Sequence, residues 1–157
     1  MKAIPTLEGG LRLDAENFND WGMLRSVIGD AGGSAVDLAS RLGRLISQEA
    51  GAADWEEYVV PDLREGFQDE LAQVGAAIES AIVNADAGAG PIWITREDVF
   101  PWYSALNQAR LAIEEQYHFG ASETLSLNEP DTVRQAAFQR SKFYAAIQSL
   151  LLEHVMR

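Results

Sequence analysis

Four polar side chains fall at helical spacing in the second half of the chain: Tyr103, Asn107, Arg110 and Glu114. At 100° per residue, Arg110, Glu114, Asn107 and His118 share one arc, with Asn107 three residues before Arg110 and Glu114 four after it. An amide, a guanidinium and a carboxylate on adjacent turns can bind a polar ligand. The same residues can instead clamp their helix to a neighbouring backbone or acid. An asparagine inside a helix lowers propensity, and is explained if its amide bonds across to another element. The clamp is the expectation, with the acids from Asp54 to Glu70 as its most numerous candidate partners, and a ligand pocket is the rival.

Other chemistry finds less support. Glu115 and His118 have the Glu-x-x-His spacing that puts two metal ligands on one helix face, as in carboxylate-bridged helical bundles. The second such motif is missing, because Leu150 and Leu151 stand where a partner acid for His154 would be. There is no Gly-x-Ser-x-Gly, no phosphate-binding or dinucleotide-binding glycine pattern, and no cysteine. No catalytic residue, metal site or cofactor is therefore expected. Residues 49 to 70 carry eight acids (Glu49, Asp54, Glu56, Glu57, Asp62, Glu65, Asp69, Glu70) against Arg64 alone. Such a run is read first as a solvated face, with docking of a basic partner or a loose cation site as alternatives.

These groups must be held by a chain of 157 residues with 47% apolar content, which suits one core and one domain spanning residues 1–157. Twenty-four acidic against 12 basic side chains leave a net charge of −12, a field that repels phosphate backbones, so nucleic acid is excluded as a partner. The absence of cysteine agrees with a reducing compartment, and no signal peptide or membrane span is seen; a cytoplasmic protein is expected.

The patterning predicts a mainly α, single-domain bundle of about five helices with a small N-terminal β-hairpin. The hairpin covers 2–13, turning at Gly9-Gly10, with Pro5 confining the first strand to an edge. Three helices occupy 15–86. Asp14 or Asn17 caps the first, whose stripe is Phe18, Trp21, Leu24 and Ile28. Ser34, with Asp37 three residues on, opens the second, whose stripe is Ala35, Leu38, Ala39, Leu42, Leu45 and Ile46. The third starts near Pro61 and carries Leu63, Phe67, Leu71, Val74, Ile78 and Ile82. Ile92-Trp93-Ile94 is β-prone and can pair with the hairpin. Two helices then fill 98–157: one capped by Thr95, which would have Pro101 kink it, or by Asp98, the preferred reading, which puts Pro101 in the first turn; and a last one opened by Asn128 and Pro130. On the last helix Val133, Ala136, Ala137, Phe143, Tyr144, Ile147, Leu150, Leu151 and Val155 form the core arc. Arg140 interrupts it and must meet a buried acid or extend its head to water. A second ridge, Phe138, Ala145, Leu152 and Met156, together with Leu111, suggests a homodimer contact.

The run Trp-x-x-Ala-Leu-Asn-x-x-Arg-Leu-x-Ile from Trp102 to Ile113 resembles the motif of an uncharacterised bacterial family, domain of unknown function 2017. Weaker similarity lies in Gly9-Gly10-Leu11-Arg12-Leu13-Asp14 and in Phe143-Tyr144-Ala145-Ala146-Ile147-Gln148. The resemblance implies a helical protein without an assigned activity, whose signature includes Trp102, Leu106, Asn107, Arg110 and Leu111. In some bacteria genes of the family lie near that for the Clp protease's adaptor, which makes a link to proteolysis an association by neighbourhood. The expectation is a non-enzymatic interaction or regulatory protein with an unidentified protein partner. The alternatives are a ligand binder or enzyme built on Asn107 and Arg110, and a carboxylate-bridged metal protein.

Overall fold

The computed structural model describes residues 1–157 except 35–36, 46–50, 121–124, 126–127 and 157. It is mainly α, with five helical rods and one small antiparallel sheet. Strands β1 (Lys2–Pro5) and β2 (Leu11–Ala15) form the hairpin, in register Lys2 to Asp14 and Pro5 to Leu11. Its turn runs from Thr6 to Gly10: Thr6 N–H donates to the Gly10 carbonyl at 2.9 Å, and Gly9 takes the left-handed φ of 83° that favours glycine. β3 (Gly90–Ile94) pairs with the other side of β2, Leu11 facing Ile94 and Ala15 facing Gly90, as the sequence predicts for Ile92 to Ile94. The order β1-β2-β3 leaves β1, with its Pro5, exposed at an edge. Alternation sends Leu11, Leu13, Ala15, Ile92 and Ile94 into the core.

Helix α1 (Phe18–Ala31) is capped by Asn17, whose side chain accepts from Asp20 N–H at 3.1 Å. Trp21, Leu24 and Val27 are buried, and Trp21 Nε1 donates to the Gly88 carbonyl at 2.7 Å. Phe18 corrects the expected stripe. It sits in the first turn, beyond the reach of the core, and is 68% exposed.

Helix α2 (Leu38–Leu45) is capped by Asp37, which accepts from Ser40 N–H at 2.9 Å, instead of by Ser34. Its buried face is Ala39 and Gly43, one turn apart, and a Cβ at Gly43 would lie 2.9 Å from Val60. Small residues let the helix approach closely, and this rotates Leu45 outward, against expectation. Ala35 and Ile46 lie outside the described residues.

The third rod begins earlier than Pro61. A turn α3 (Ala52–Asp54) leads through a π-helical turn, Trp55–Val59, into α4 (Val60–Asn84). Pro61 has no N–H to offer Glu57, and its ring crowds that carbonyl in a regular α-helix. The chain answers with a wider turn, in which Val60 N–H bonds to the Trp55 carbonyl five residues back. Proline is thus accommodated inside the rod instead of starting it. Val74, Ile78, Ala81 and Ile82 are buried on α4.

Helix α5 (Val99–Tyr117) follows Asp98, whose carboxylate accepts from the Thr95 N–H at 3.1 Å and hydroxyl at 2.7 Å, and Pro101 stands in the first turn as expected. It ends at His118, in a left-handed conformation with φ 53°. Helix α6 (Thr132–His154) is capped by Asp131, accepting from Val133 and Arg134 N–H at 2.9 and 3.1 Å, and not by Asn128 and Pro130. With the first turn held at Asp131, Val133 faces solvent and leaves the predicted core arc, while Ala137, Tyr144, Ile147 and Leu151 keep their places.

Helix α5 packs on α1, α4 and α6 at once. That explains why Val99, Trp102, Ala105, Leu106, Ala109, Ala112 and Ile113 are all buried. Among the described residues, no helix is long and apolar enough to cross a membrane.

Candidate functional site

The polar face of α5 opens onto a cavity. Asn107, Arg110, Leu111 and Glu114 recur at i, i+3, i+4 and i+7, and so line one stripe. Phe138, Ser141 and Lys142 face them from α6 with the same periodicity, and Phe119 and Gly120 close one end. The space enclosed is about 260 Å³ and opens to solvent.

Its rim is fixed by charged hydrogen bonds. Where α5 ends, His118 swings the chain left-handed, and both Glu114 oxygens accept from the exposed backbone, Phe119 N–H at 3.1 Å and Gly120 N–H at 3.0 Å. Arg134 of α6 satisfies the carbonyls at the same helix end, donating to Tyr117 at 3.2 Å and His118 at 3.3 Å. Its guanidinium also pairs with Glu129 at 2.6 Å and lies 4.6 Å from the centre of the Phe119 ring. Phe119 meets Phe138 edge to face, with centroids 5.2 Å apart.

Arg110 and Asn107 part company. Arg110 Nη1 donates to Gln148 Oε1 of α6 at 2.8 Å, and Gln148 Nε2 donates to the Tyr103 carbonyl at 3.3 Å. This ties α5 to α6 through a side chain that is 3% exposed. The anchor seen here is a neutral amide, in place of the acids between Asp54 and Glu70 named from sequence. The reason is position: α6 runs along this face of α5, whereas α4 meets α5 on the side of Gln108, whose Nε2 lies 3.3 Å from the Phe67 carbonyl. Asn107 is half-buried, and among the described residues its side chain makes no hydrogen bond to another element. Tyr103 contributes its carbonyl to the Gln148 anchor and does not line the cavity.

Gln148 went unremarked in the sequence, although a signal existed: it falls one turn after Tyr144 and before Leu151, a polar residue on a buried arc. Of the signature residues, Trp102 and Leu106 are core, at 2% and 0% exposure, while Asn107, Arg110 and Leu111 face the cavity. Leu111, expected on an outer ridge, is half-buried there. Of that ridge, Phe138 lines the same cavity and Leu152 is exposed.

The remaining polar groups resolve into structure. Glu115 pairs with Arg41 of α2 at 3.3 Å and His118 forms the helix cap, so the Glu-x-x-His pair is split. Among the described residues no three histidines or acids gather as a metal would require. Arg140 meets an acid: Nε and Nη2 donate to Asp30 Oδ2 and Oδ1 at 2.8 and 3.0 Å. The Tyr144 hydroxyl donates to Asp30 Oδ2 at 2.5 Å and lies equally close to Ser26 Oγ. Burial, then the adjacent Asp30 carboxylate, pushes the Tyr144 pKa well above the ordinary tyrosine value. Hydrogen bonding to Asp30 likewise raises that of Arg140. In the acid-rich segment Asp54, Glu56, Glu57, Asp62, Glu65 and Asp69 are exposed, and Arg64 turns away to Asp37 at 3.3 Å.

Comparison with known proteins adds one match. A family model described as a domain of unknown function (DUF2017) covers residues 13–155. No curated protein and no solved structure matches the chain.

Proposed function

Since this chain belongs to the DUF2017 family, whose description carries no activity, we propose its function from geometry: it binds a small ligand in the α5–α6 cavity and acts as a non-catalytic regulatory protein. The observation that carries this reading is Asn107. A mid-helix asparagine is about 0.7 kcal/mol less favourable than alanine. Here no tertiary hydrogen bond among the described residues offsets that, and the amide lines solvent-open space beside Arg110, Ser141 and Lys142. Such a residue makes sense as a contact for something the chain does not itself supply.

Binding is favoured over turnover by the state of Glu114. Both its oxygens hold backbone amides of the turn that ends α5, so recruiting it as a base would release the rim of the cavity. Screening a library of small metabolites by thermal shift tests the reading. A ligand is expected that raises the Tm of the wild-type protein and fails to do so for Asn107→Leu. If no compound shifts the wild type, or if the shift survives the substitution, the cavity is not the binding site.

A further inference from the structure

The sheet ends in two outer strands, β1 and β3, and the hairpin turn fixes which backbone groups each leaves free. Thr6 N–H donates to the Gly10 carbonyl at 2.9 Å, so these two form a bonded pair of the antiparallel ladder. Bonded pairs recur at every second residue. The N–H and C=O of Arg12 and Asp14 therefore face β1, and those of Leu11, Leu13 and Ala15 face β3. Their partners on β3 are Ile94, Ile92 and Gly90, which leaves the backbone groups of Pro91 and Trp93 pointing away from the sheet. Pro91, with no N–H, stands where β2 needs none. Among the described residues, both the N–H and the C=O of Trp93 are left without a partner. β1 leaves Ala3 free in the same way, but its four residues are all exposed. β3 runs beside a wall.

That wall is α4, which turns Ala77, Ser80, Ala81, Asn84 and Ala85 toward the edge, one helical face at i, i+3, i+4, i+7 and i+8. Between this face and the strand from Gly90 to Trp93 lies an open groove of about 350 Å³. We propose that the groove takes an extended segment of a protein partner, which adds a fourth strand beside β3 and alternates small apolar with basic side chains. This site is separate from the α5–α6 cavity and does not depend on it.

The dimensions agree, since the helix rises about 12 Å from Ala77 to Ala85 and four residues of strand cover about 13 Å. Main-chain bonds hold the segment: a residue opposite Trp93 can exchange two with it, and the Pro91 carbonyl can accept a third. Side chains of an added strand alternate between the two faces. Those turned inward meet the methyl groups of Ala77, Ala81 and Ala85, and those turned outward lie along the indole of Trp93, which is 53% exposed. Charge selects the rest. Residues 77–93, which build the groove, contain Glu79 and Asp86 and no lysine or arginine, in a chain that carries −12. Arg12, next to Trp93, is held by Asp14 at 3.0 Å. A basic segment is drawn to this field, whereas a second copy of the chain would bring another −12 to the same edge.

Amide hydrogen exchange followed by NMR on the full chain tests the site, with the end-blocked peptide Lys-Val-Lys-Val-Lys as probe. In the free protein the Trp93 amide should exchange at least about tenfold faster than those of Ile92 and Ile94, which lie in the ladder. Saturating peptide should slow Trp93 by about tenfold or more. The same peptide N-methylated at every residue keeps its charge and side chains but offers no N–H, and should bind about tenfold more weakly. Ser80→Phe, at an exposed position, should melt with the wild type yet fill the groove and abolish the protection. No binding at millimolar peptide, binding that leaves Trp93 unprotected, or equal binding of the N-methylated peptide overturns strand addition. Equal binding of Glu-Val-Glu-Val-Glu overturns the basic partner. Protection of Trp93 that grows with protein concentration while the mass doubles, with no peptide present, overturns the proposal in favour of a second copy. A silent metabolite screen would leave each of these results unchanged.

Discussion

The two polar clusters that α6 forms with its neighbours differ in one respect that decides their roles. Around Asp30, the partners of each charged group come from the chain: Arg140 grips both carboxylate oxygens, Tyr144 adds a third bond, and Ser26 closes the set. At the same level of α6 but on another face, where Phe138, Ser141 and Lys142 stand, the cavity of Asn107 and Arg110 has a wall that is anchored by Gln148 but an amide that faces open space. Both clusters look alike in the sequence, an arginine set into a helical stripe. A group satisfied within the fold stabilises it, and a group left facing solvent at a propensity cost is available for recognition.

The sharpest way to break this comparison is to remove the acid from the closed cluster. Asp30→Ala leaves the Arg140 guanidinium without its carboxylate and the Tyr144 hydroxyl with Ser26 in place of the pair of partners it has. Breaking a buried pair from one side costs about 3–5 kcal/mol, and the lower end applies because the Arg140 side chain keeps 24% exposure. Urea denaturation should therefore show a loss of about 3 kcal/mol with an unchanged m-value. A loss under about 1 kcal/mol would mean that the cluster is surface-like and that the contrast with the cavity is not one of closure.

How much of this contrast could be read beforehand depends on the range of the interactions. The Asn17 cap and the pairing of Ile92 to Ile94 follow from local capping and alternation, and the structure has them; α5 starts after Asp98 as predicted, although the Asp98 carboxylate binds Thr95 instead of capping the helix. The switch of caps from Ser34 to Asp37 and from Asn128 to Asp131 is a competition between neighbouring acceptors of similar quality. The π turn needed one more step, because a proline near a helix start reads as a first-turn residue unless the helix already extends past it. The partners were the least legible. Periodicity left Arg140 either a buried acid or a path to water, and the acid it meets, Asp30, lies 110 residues away among 24 candidates. For Arg110 the acids near Asp54 to Glu70 were the wrong choice because the rotation of α6 against α5, which sets Gln148 opposite Arg110, is a property of packing. That Asn107 and Glu114 border one space was legible from helical spacing; that the space is open was not.

A milder test uses pH to mark the closed cluster. The Tyr144 hydroxyl has its pKa raised by burial and by Asp30. Below the unfolded-chain value, near 10, both states hold the proton and the interaction contributes in full. As pH rises past that value the unfolded chain ionises first, so the folded state is progressively disfavoured. Wild-type stability should therefore fall above about pH 10 with an added slope of about 1.4 kcal/mol per pH unit, and Tyr144→Phe should lack that added slope. At neutral pH the same variant should lose about 1 kcal/mol, one net hydrogen bond. Parallel alkaline limbs for the two proteins would show that Tyr144 reaches solvent and that the cluster opens.

The smallest expected effect has the opposite sign and lies in the cavity. Asn107→Ala removes a side chain that makes no hydrogen bond to another element among the described residues, in the middle of α5. Alanine is favoured there by about 0.7 kcal/mol in intrinsic helix propensity. The half-buried position and the neighbouring Leu111 and Phe138 mean that little contact area is lost. The variant should therefore be stabilised, by about 0.5 kcal/mol, while losing ligand-induced stabilisation. That pairing of higher stability with lost binding is what a residue kept for recognition produces, and a residue kept for structure cannot produce it. Thermal unfolding with and without ligand reads both quantities in one experiment. If Asn107→Ala instead melts lower by 1 kcal/mol or more, Asn107 holds the fold together as Asp30 does, and the distinction between the two clusters disappears.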